Sequence, residues 1–377
     1  MMHARLTRLL IAATAFSLAA VPAAIAADVK LGIVQSTSGG SAALYGTMQK
    51  NGAELAAAEI NASGKLGDLK LVPIHQDDAG DRGQTVNIFQ RLINQDKVTV
   101  IFGPTLTTSA FAADPIANAA KVPVIASSNT APGVPAIGEY IFRTSAPEAA
   151  VFPGVLAYAQ KRYSPKTAAQ IYGIDDVLMK AAYGVHKAAL DKAGIKVVAT
   201  ETFQKGDVDY SAQLTKIKAA NPDIIVVGGL AEETANIVRQ ARQLGIPQST
   251  VFLGANAAIS TKLNDLAGPA AQGFLVGSGW FIDFDTPANK AFVEAYKAKY
   301  GSAPDTFAAQ AHAAVTIFAD AVKRAGGVSD PAKLRAAIAD TKDLQTVLGP
   351  FSFDKDREPV LVAKVLELKD GKFQLAQ

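Results

Sequence analysis

Cysteine is absent from all 377 residues. Disulfides, thiolate metal sites and cysteine nucleophiles are therefore excluded. An exported chain without disulfides must rely on its core, and this one has the length for it. Histidine is scarce: beyond the N-terminal leader only His75, His186 and His312 remain, with no H-x-x-x-H spacing, so surface or packing roles are expected rather than metal ligation. The single tryptophan, Trp280, suits a cleft wall or a core equally. No G-x-G-x-x-G follows an apolar run, and G-x-x-x-x-G-K-[ST] and G-x-S-x-G do not occur, so dinucleotide sites, P-loops and nucleophile elbows lack support. No cofactor and no metal are expected. One-sided charge is also missing. The net charge is +3, and 37 basic residues less Arg5 and Arg8 of the leader, against 34 acidic, leave +1. Nothing suggests a nucleic-acid surface.

Long apolar runs are confined to the N-terminus. Arg5 and Arg8 precede an apolar run from Leu9 to Ala20, Val21-Pro22 follows, and Ala24-Ile25-Ala26 offers small residues for cleavage. This pattern predicts a secretory signal over residues 1–26 and a mature chain starting at Ala27 or Asp28. A retained anchor is the alternative, but the run is short for a span and Pro22 interrupts it. Without cysteine at the cleavage point, a lipoprotein anchor is not expected. The remaining composition, 49% hydrophobic and 19% charged, is that of a globular chain long enough for two domains.

Strand-like apolar runs alternate with helical patterns. Val29–Gln35, Leu69–His75, Val98–Phe102, Val122–Ala126 and Tyr140–Arg143 read as strands. Ala42–Asn61, Gly83–Asn94 and about Ser109–Ala120 read as helices between them. The alternation predicts an α/β fold with a parallel sheet covered on both faces. It repeats from Ala149 to Leu266, which predicts a second lobe. After Phe274–Ser278 the pattern turns to helices at Pro287–Tyr300, Phe307–Ala325 and Pro331–Ala339. Val360–Leu368 and Phe373–Leu375 close the chain as strands around Asp370-Gly371, a hairpin signal.

Two turns rich in hydroxyls follow strands on the same expected edge. They are Thr105-Leu-Thr-Thr-Ser109 and Ser127-Ser-Asn-Thr130. A strand that ends in such a turn and passes into a helix makes an anion site, because the first helical amides lack intrahelical partners and the dipole favours negative charge. Thr107 and Thr108 could add two donors to a carboxylate; equally, one of them could cap the helix. Ligands of parallel sheets bind beyond the carboxyl ends of the strands, where both turns lie. Asp77-Asp78 and Asp175-Asp176 read as helix caps rather than as acid–base pairs.

Together these features resemble the type I periplasmic ligand-binding proteins of ABC importers, in the leucine/isoleucine/valine-binding branch. The landmarks run from 28 to 375: Ser38-Gly39 through Tyr45-Gly46, Ala58-Glu59-Ile60-Asn61, Asp77-Asp78, Gly103-Pro104-Thr-Leu-Thr-Thr-Ser109, Ser128-Asn-Thr-Ala-Pro132, Phe142-Arg143-Thr144, Gly228-Gly229, Arg239-Gln-Ala-Arg242, Gly254 and Gly349-Pro350-Phe351. The resemblance implies two doubly wound parallel-sheet lobes joined by a three-segment hinge, with lobe one at 28–146 plus 278–349 and lobe two at 147–277 plus 350–377. It implies ligand between the lobes, which close by hinge motion. By the same resemblance Thr107 and Thr108 hold a ligand carboxylate. Ser128 and Thr130 face the alpha substituent, and Tyr45 walls the cleft.

The chain departs from the family pattern in lobe two. Asn256 stands where branched-chain proteins place a glutamate near the bound ammonium, and asparagine does not neutralise a buried cation. Leu178 and Leu230 stand at aromatic positions, and Gly80 and Leu106 at those of the family's disulfide. The implied function is a periplasmic receptor that delivers a small carboxylate to an ABC importer. The candidate ligands are a branched-chain or aliphatic amino acid and an ammonium-free acid such as an aromatic carboxylate. Expected partners are that ligand and the membrane permease subunits; the receptor is expected to be a monomer. An exported hydrolase and a sensory ligand-binding module are the alternatives.

Overall fold

A computed structural model describes residues 27–40 and 42–376. The signal-peptide expectation over 1–26 lies outside the described residues. Strand β1 (Ala27–Gln35) leads to helix α1 (Ala42–Ser63), followed by β2 (Leu69–Asp77), α2 (Arg82–Arg91), β3 (Val100–Phe102), α3 (Thr107–Ala119), β4 (Val124–Ala126) and β5 (Ile141–Arg143). These strands form one parallel sheet in the order β2-β1-β3-β4-β5. The order reverses between β1 and β3, so a crevice opens at their carboxyl ends.

Period-two alternation explains why the runs are apolar throughout. In β1, Val29, Leu31 and Ile33 enter one core cluster and Val34 enters the cluster on the other face. Helix α2 is shorter than the expected Gly83–Asn94. A π-helical turn, Leu92–Asp96, replaces its end, and Lys97 closes it in the left-handed region.

Lobe two repeats the design with α4 (Glu148–Tyr163), β6 (Thr167–Gly173), α5 (Val177–Lys192), β7 (Lys196–Phe203), α6 (Ser211–Ala220), β8 (Ile224–Gly228), α7 (Ala231–Gln243), β9 (Val251–Gly254), α8 (Thr261–Ala267) and β10 (Leu275–Ser278). In β8, Ile225 and Val227 face one core cluster while Ile224 and Val226 face the other. The chain then returns to lobe one as α9 (Pro287–Tyr300), α10 (Thr306–Ala325) and α11 (Pro331–Ala339). A small antiparallel sheet follows, built from β11 (Leu344–Thr346), β12 (Gly349–Phe353) and β13 (Pro359–Val360). Finally β14 (Lys364–Lys369) and β15 (Lys372–Leu375) extend the second sheet to the order β15-β14-β10-β9-β8-β6-β7.

Two expectations need correction here. The run Val360–Leu368 is not one strand, because 361–363 carry the chain from one sheet to the other. Phe351 and Phe353 belong to the core cluster that contains β1 and α10. Residues 350–360 therefore pack with lobe one rather than lobe two, and the last crossing follows β13. The Asp370-Gly371 hairpin is as expected, with both residues at positive φ.

Candidate functional site

The carboxyl ends of both sheets face each other across the lobe junction. The turn after β3 starts at Gly103, whose φ of +131° and 2.1 Å distance from a would-be Cβ to the Val34 carbonyl leave room only for glycine. It delivers Thr105 to the switch point. There Thr105 Oγ1 accepts from the Ser36 amide at 3.0 Å and lies 2.7 Å from Gln35 Oε1. Thr107 and Thr108 open α3. Neither caps it: the N-cap position is Leu106, in extended conformation, and no side-chain cap bond forms. The capping alternative for these two residues is thereby excluded. Thr107 is buried and its Oγ1 has no hydrogen-bond partner among the described residues.

The second hydroxyl turn lies beside the first, because β4 pairs with β3. Ser128 Oγ donates to the Thr105 carbonyl at 2.6 Å. Arg143, at the end of β5 and almost fully buried, fixes this turn. Its Nη1 donates to the carbonyls of Asn129 and Ala131, and its other face makes a two-pronged contact with Glu358 at 2.6 and 2.7 Å. Charge-assisted, bidentate bonds of this kind are the strong ones, and here they hold the shape of a loop.

Four hydrogen bonds tie the lobes together at this place. Tyr45 Oη donates to the Ala257 carbonyl at 2.9 Å and accepts from the Ala231 amide at 2.7 Å. Burial pushes its hydroxyl well above the ordinary tyrosine pKa, so it stays protonated and able to donate. Thr130 Oγ1 donates to Asn256 Oδ1 at 3.3 Å, and Asn256 Nδ2 donates to the Ala146 carbonyl at 3.0 Å. Leu178 and Leu230 join Tyr45 and Ala131 in one cluster that crosses the junction.

The structure thus brings Tyr45, Thr130, Leu178, Leu230 and Asn256 to one junction, with Ser128 on the adjoining turn. Thr107 and Thr108 open the neighbouring helix, α3. Gly80 and Leu106 are also neighbours, with 3.4 Å from a would-be Gly80 Cβ to Leu106 Cδ1.

The acidic pairs behave differently from expectation. Asp81, not Asp77 or Asp78, caps α2. Asp77 accepts from the amides of Thr37, Ser38 and Ala79. Slight burial raises its pKa, but these bonds outweigh it and bring the carboxyl down to about 2. Asp78 accepts from Ser36 Oγ, the Gly80 amide and Thr85 Oγ1. Both therefore shape the loop after β1. Asp176 does cap α5, and Asp175 accepts from the Lys205 amide. Trp280 is core, its Nε1 donating to Asn289 at 2.7 Å.

Sequence reasoning missed several residues. Glu148, the first residue of α4, receives the Asn256 amide at 3.0 Å on Oε2 and contacts His186 Nε2 at 2.8 Å through Oε1, both side chains being buried. Phe307 stacks edge-on against Tyr45, with ring centroids 4.6 Å apart. Gln310, one turn further along α10, lines the junction beside Ser128 and Thr130. Asp305 caps α10 through the amides of Phe307 and Ala308, and burial raises its carboxyl to about 7 against the pull of those amides. Only the last carried a local signal, an acid two residues before an apolar helix. No helix among the described residues is long and apolar enough to cross a membrane.

Comparison with known proteins agrees with this geometry. The family model of the periplasmic binding proteins matches residues 28–372. The leucine-, isoleucine-, valine-, threonine- and alanine-binding protein of Pseudomonas aeruginosa is 32% identical over 317 residues, covering 84% of this chain and 83% of its own. Among solved structures, the branched-chain amino acid transporter substrate-binding protein of Streptococcus pneumoniae, in complex with isoleucine, superposes with a TM-score of 0.85 at 30% identity, over 92% of this chain and 98% of that one. A solute-binding protein of an ABC transporter from Rhodopseudomonas palustris BisB5, in complex with 3,4-dihydroxybenzoic acid, gives 0.83 at 28% identity, over 92% and 95%. From the two facing sheets, the hydroxyl turns at their junction and these likenesses together, the chain belongs to the periplasmic binding protein family.

Proposed function

We propose that the protein is a periplasmic solute receptor that closes on a small carboxylate-bearing ligand and presents it to the permease subunits of an ABC-type importer. It acts as a monomer, exported by the signal at 1–26. Thr107 and Thr108, with the free amides that open α3, hold the carboxylate; Ser128 and Thr130 face the adjoining part of the ligand. Tyr45, Leu178 and Leu230 wall the site. The observation that carries this reading is the buried Thr107 hydroxyl without a partner at a helix N-terminus. A buried donor left unmade costs about 1–3 kcal/mol, which a bound carboxylate would recover. A hydrolytic reading finds no such support, since the hydroxyls of Ser128 and Thr130 bond to a carbonyl and an amide rather than to a base.

Within the carboxylates, two contacts support an ammonium-free acid over an amino acid. The Asn256 amide is engaged on both sides, and both oxygens of Glu148 are occupied by His186 and the Asn256 amide. An ammonium at this junction would find these acceptors already engaged, and Glu233, the buried carboxylate beside Leu230, accepts from the Leu230 amide, so the cation would have to displace such a bond to gain its counter-charge. Isothermal calorimetry with leucine, isoleucine, benzoate and 4-hydroxycinnamate tests both levels. Micromolar binding corresponds to about −8 kcal/mol. Binding of the acids without the amino acids is the expected result; tight leucine binding with no response to either acid would reject the ammonium-free ligand. Silence across all four would remove the carboxylate reading itself.

A further inference from the structure

A chamber of about 700 Å³ opens between the lobes, and none of Tyr45, Thr107, Thr108, Ser128 or Thr130 lines it. Its volume lies within the range of small-molecule sites, about 300–1,000 Å³. Lobe one supplies Trp280 and Phe281 to its wall, and lobe two supplies Ile259, Leu366, Leu368 and Phe373. A wall of this kind suits a hydrophobic or aromatic body.

One residue of the wall is a buried carboxylate. Asp305 is 8% exposed and lines the chamber. Its Oδ1 accepts from the amides of Phe307 and Ala308 at the start of α10. Its Oδ2 has no partner among the described residues, so capping the helix occupies one oxygen and leaves the other uncompensated. The other buried polar groups of the wall are engaged. Ser260 Oγ accepts from the Lys262 amide at 3.2 Å, Trp280 Nε1 donates to Asn289, and Thr306 Oγ1 lies 3.5 Å from Ser278 Oγ. Lys297 and Lys372 stand on the rim, but both are exposed and neither pairs with Asp305 among the described residues. Asp265 and Asp283, exposed on the same rim, offset their charge. A carboxylate held among apolar side chains is costly until a cation meets it.

We infer that this chamber is a second binding site, whose ligand is a hydrophobic amine with its ammonium on Asp305 Oδ2 and its apolar body between Trp280 and Phe373. The site is independent of the carboxylate reading, because the two share none of the residues named for the hydroxyl turns. A neutral donor would give Oδ2 a hydrogen bond; an ammonium gives it the bond and the counter-charge together. Both lobes wall the chamber, so an occupant bridges them and favours the arrangement in which they meet.

Two probes with one body, 4-phenylbutylamine and 4-phenylbutan-1-ol, test the charge by calorimetry on the native protein. The amine should bind once per chain, at least about tenfold tighter than the alcohol. Asp305→Asn keeps an oxygen for the cap. It should bring the amine down to the affinity of the alcohol and leave the alcohol unchanged. Ala303→Phe fills the chamber from a half-buried position on its wall and should weaken both probes at least about tenfold. A native-like melting transition shows that each variant has folded, and the comparison of amine with alcohol needs neither. Equal affinity of the two probes, an amine indifferent to Asp305→Asn, or binding unmoved by Ala303→Phe refutes the amine site. So does silence from both probes. An acid that binds the hydroxyl turns should leave the amine's single site in place; displacement of one by the other, one for one, would overturn the second site and leave the receptor reading standing.

Discussion

Thr107 and Asp305 show how single side chains carry the chemistry. The Thr107 hydroxyl has no partner, and Thr108 lies beside it in the first turn of α3. Replacing both by alanine should weaken carboxylate binding by roughly 0.5–3 kcal/mol, the range for lost charge-assisted bonds, without lowering the melting temperature of the ligand-free protein. Calorimetry with the tightest-binding acid checks it; unchanged affinity would move the site elsewhere. Asp305 is raised by burial to about 7. A carboxyl whose folded pKa exceeds its unfolded one stabilises the protein below the unfolded value, and that stability is lost as pH rises through the folded value. Stability should therefore fall between about pH 4 and pH 7 in the native protein. Asp305→Asn keeps a capping oxygen and removes the titration, so urea melts across that interval should show a smaller slope. The hydroxyl turns and the acidic pairs were legible as residue types. Their partners were not, because Thr107 shares its helix start with Leu106, and which of Asp77, Asp78 and Asp81 caps α2 depends on where the chain bends.

At the scale of elements, glycines in two helices have opposite meanings. A Cβ on Gly52 of α1 would stand 2.1 Å from the Ala308 carbonyl of α10, so these helices touch backbone to backbone. Gly52→Ala should destabilise the protein by about 1–3 kcal/mol through overpacking. Gly184 in α5 is exposed, and a Cβ there meets nothing within 4 Å. Gly184→Ala should instead stabilise by about 0.5–1 kcal/mol, since glycine inside a helix costs backbone entropy. Thermal melts of the two variants, side by side, decide both. Nothing in the local sequence separates these glycines; only the approach of α10 does. Helices themselves were readable, since α9 and α11 coincide with their expected spans. The exceptions lie where a tertiary crossing interrupts an apolar run, as at 361–363, or where a helix ends in a π turn, as at Leu92–Asp96.

On the scale of the whole molecule, the Tyr45 hydroxyl bridges α1 of lobe one to the Ala231 amide and Ala257 carbonyl of lobe two. Tyr45→Phe removes two bonds made only across the junction. At about 0.5–1.5 kcal/mol each, their loss should shift the closed population toward open by roughly 5- to 150-fold. Small-angle scattering of the ligand-free variant should give a larger radius of gyration than the native protein; equal radii would mean that Tyr45 does not hold the lobes. By itself the sequence determined the α/β class, the doubled unit, the two hydroxyl turns and the core faces, because apolar periodicity and turn chemistry are local properties of the chain. Tertiary structure alone decided that residues 350–360 pack with lobe one, that Glu148 and Arg143 brace the site, and that Asn256 is spent on Thr130 and Ala146. Each of these joins residues far apart in the chain, and their meeting depends on how two separately folded sheets dock, which no local pattern records.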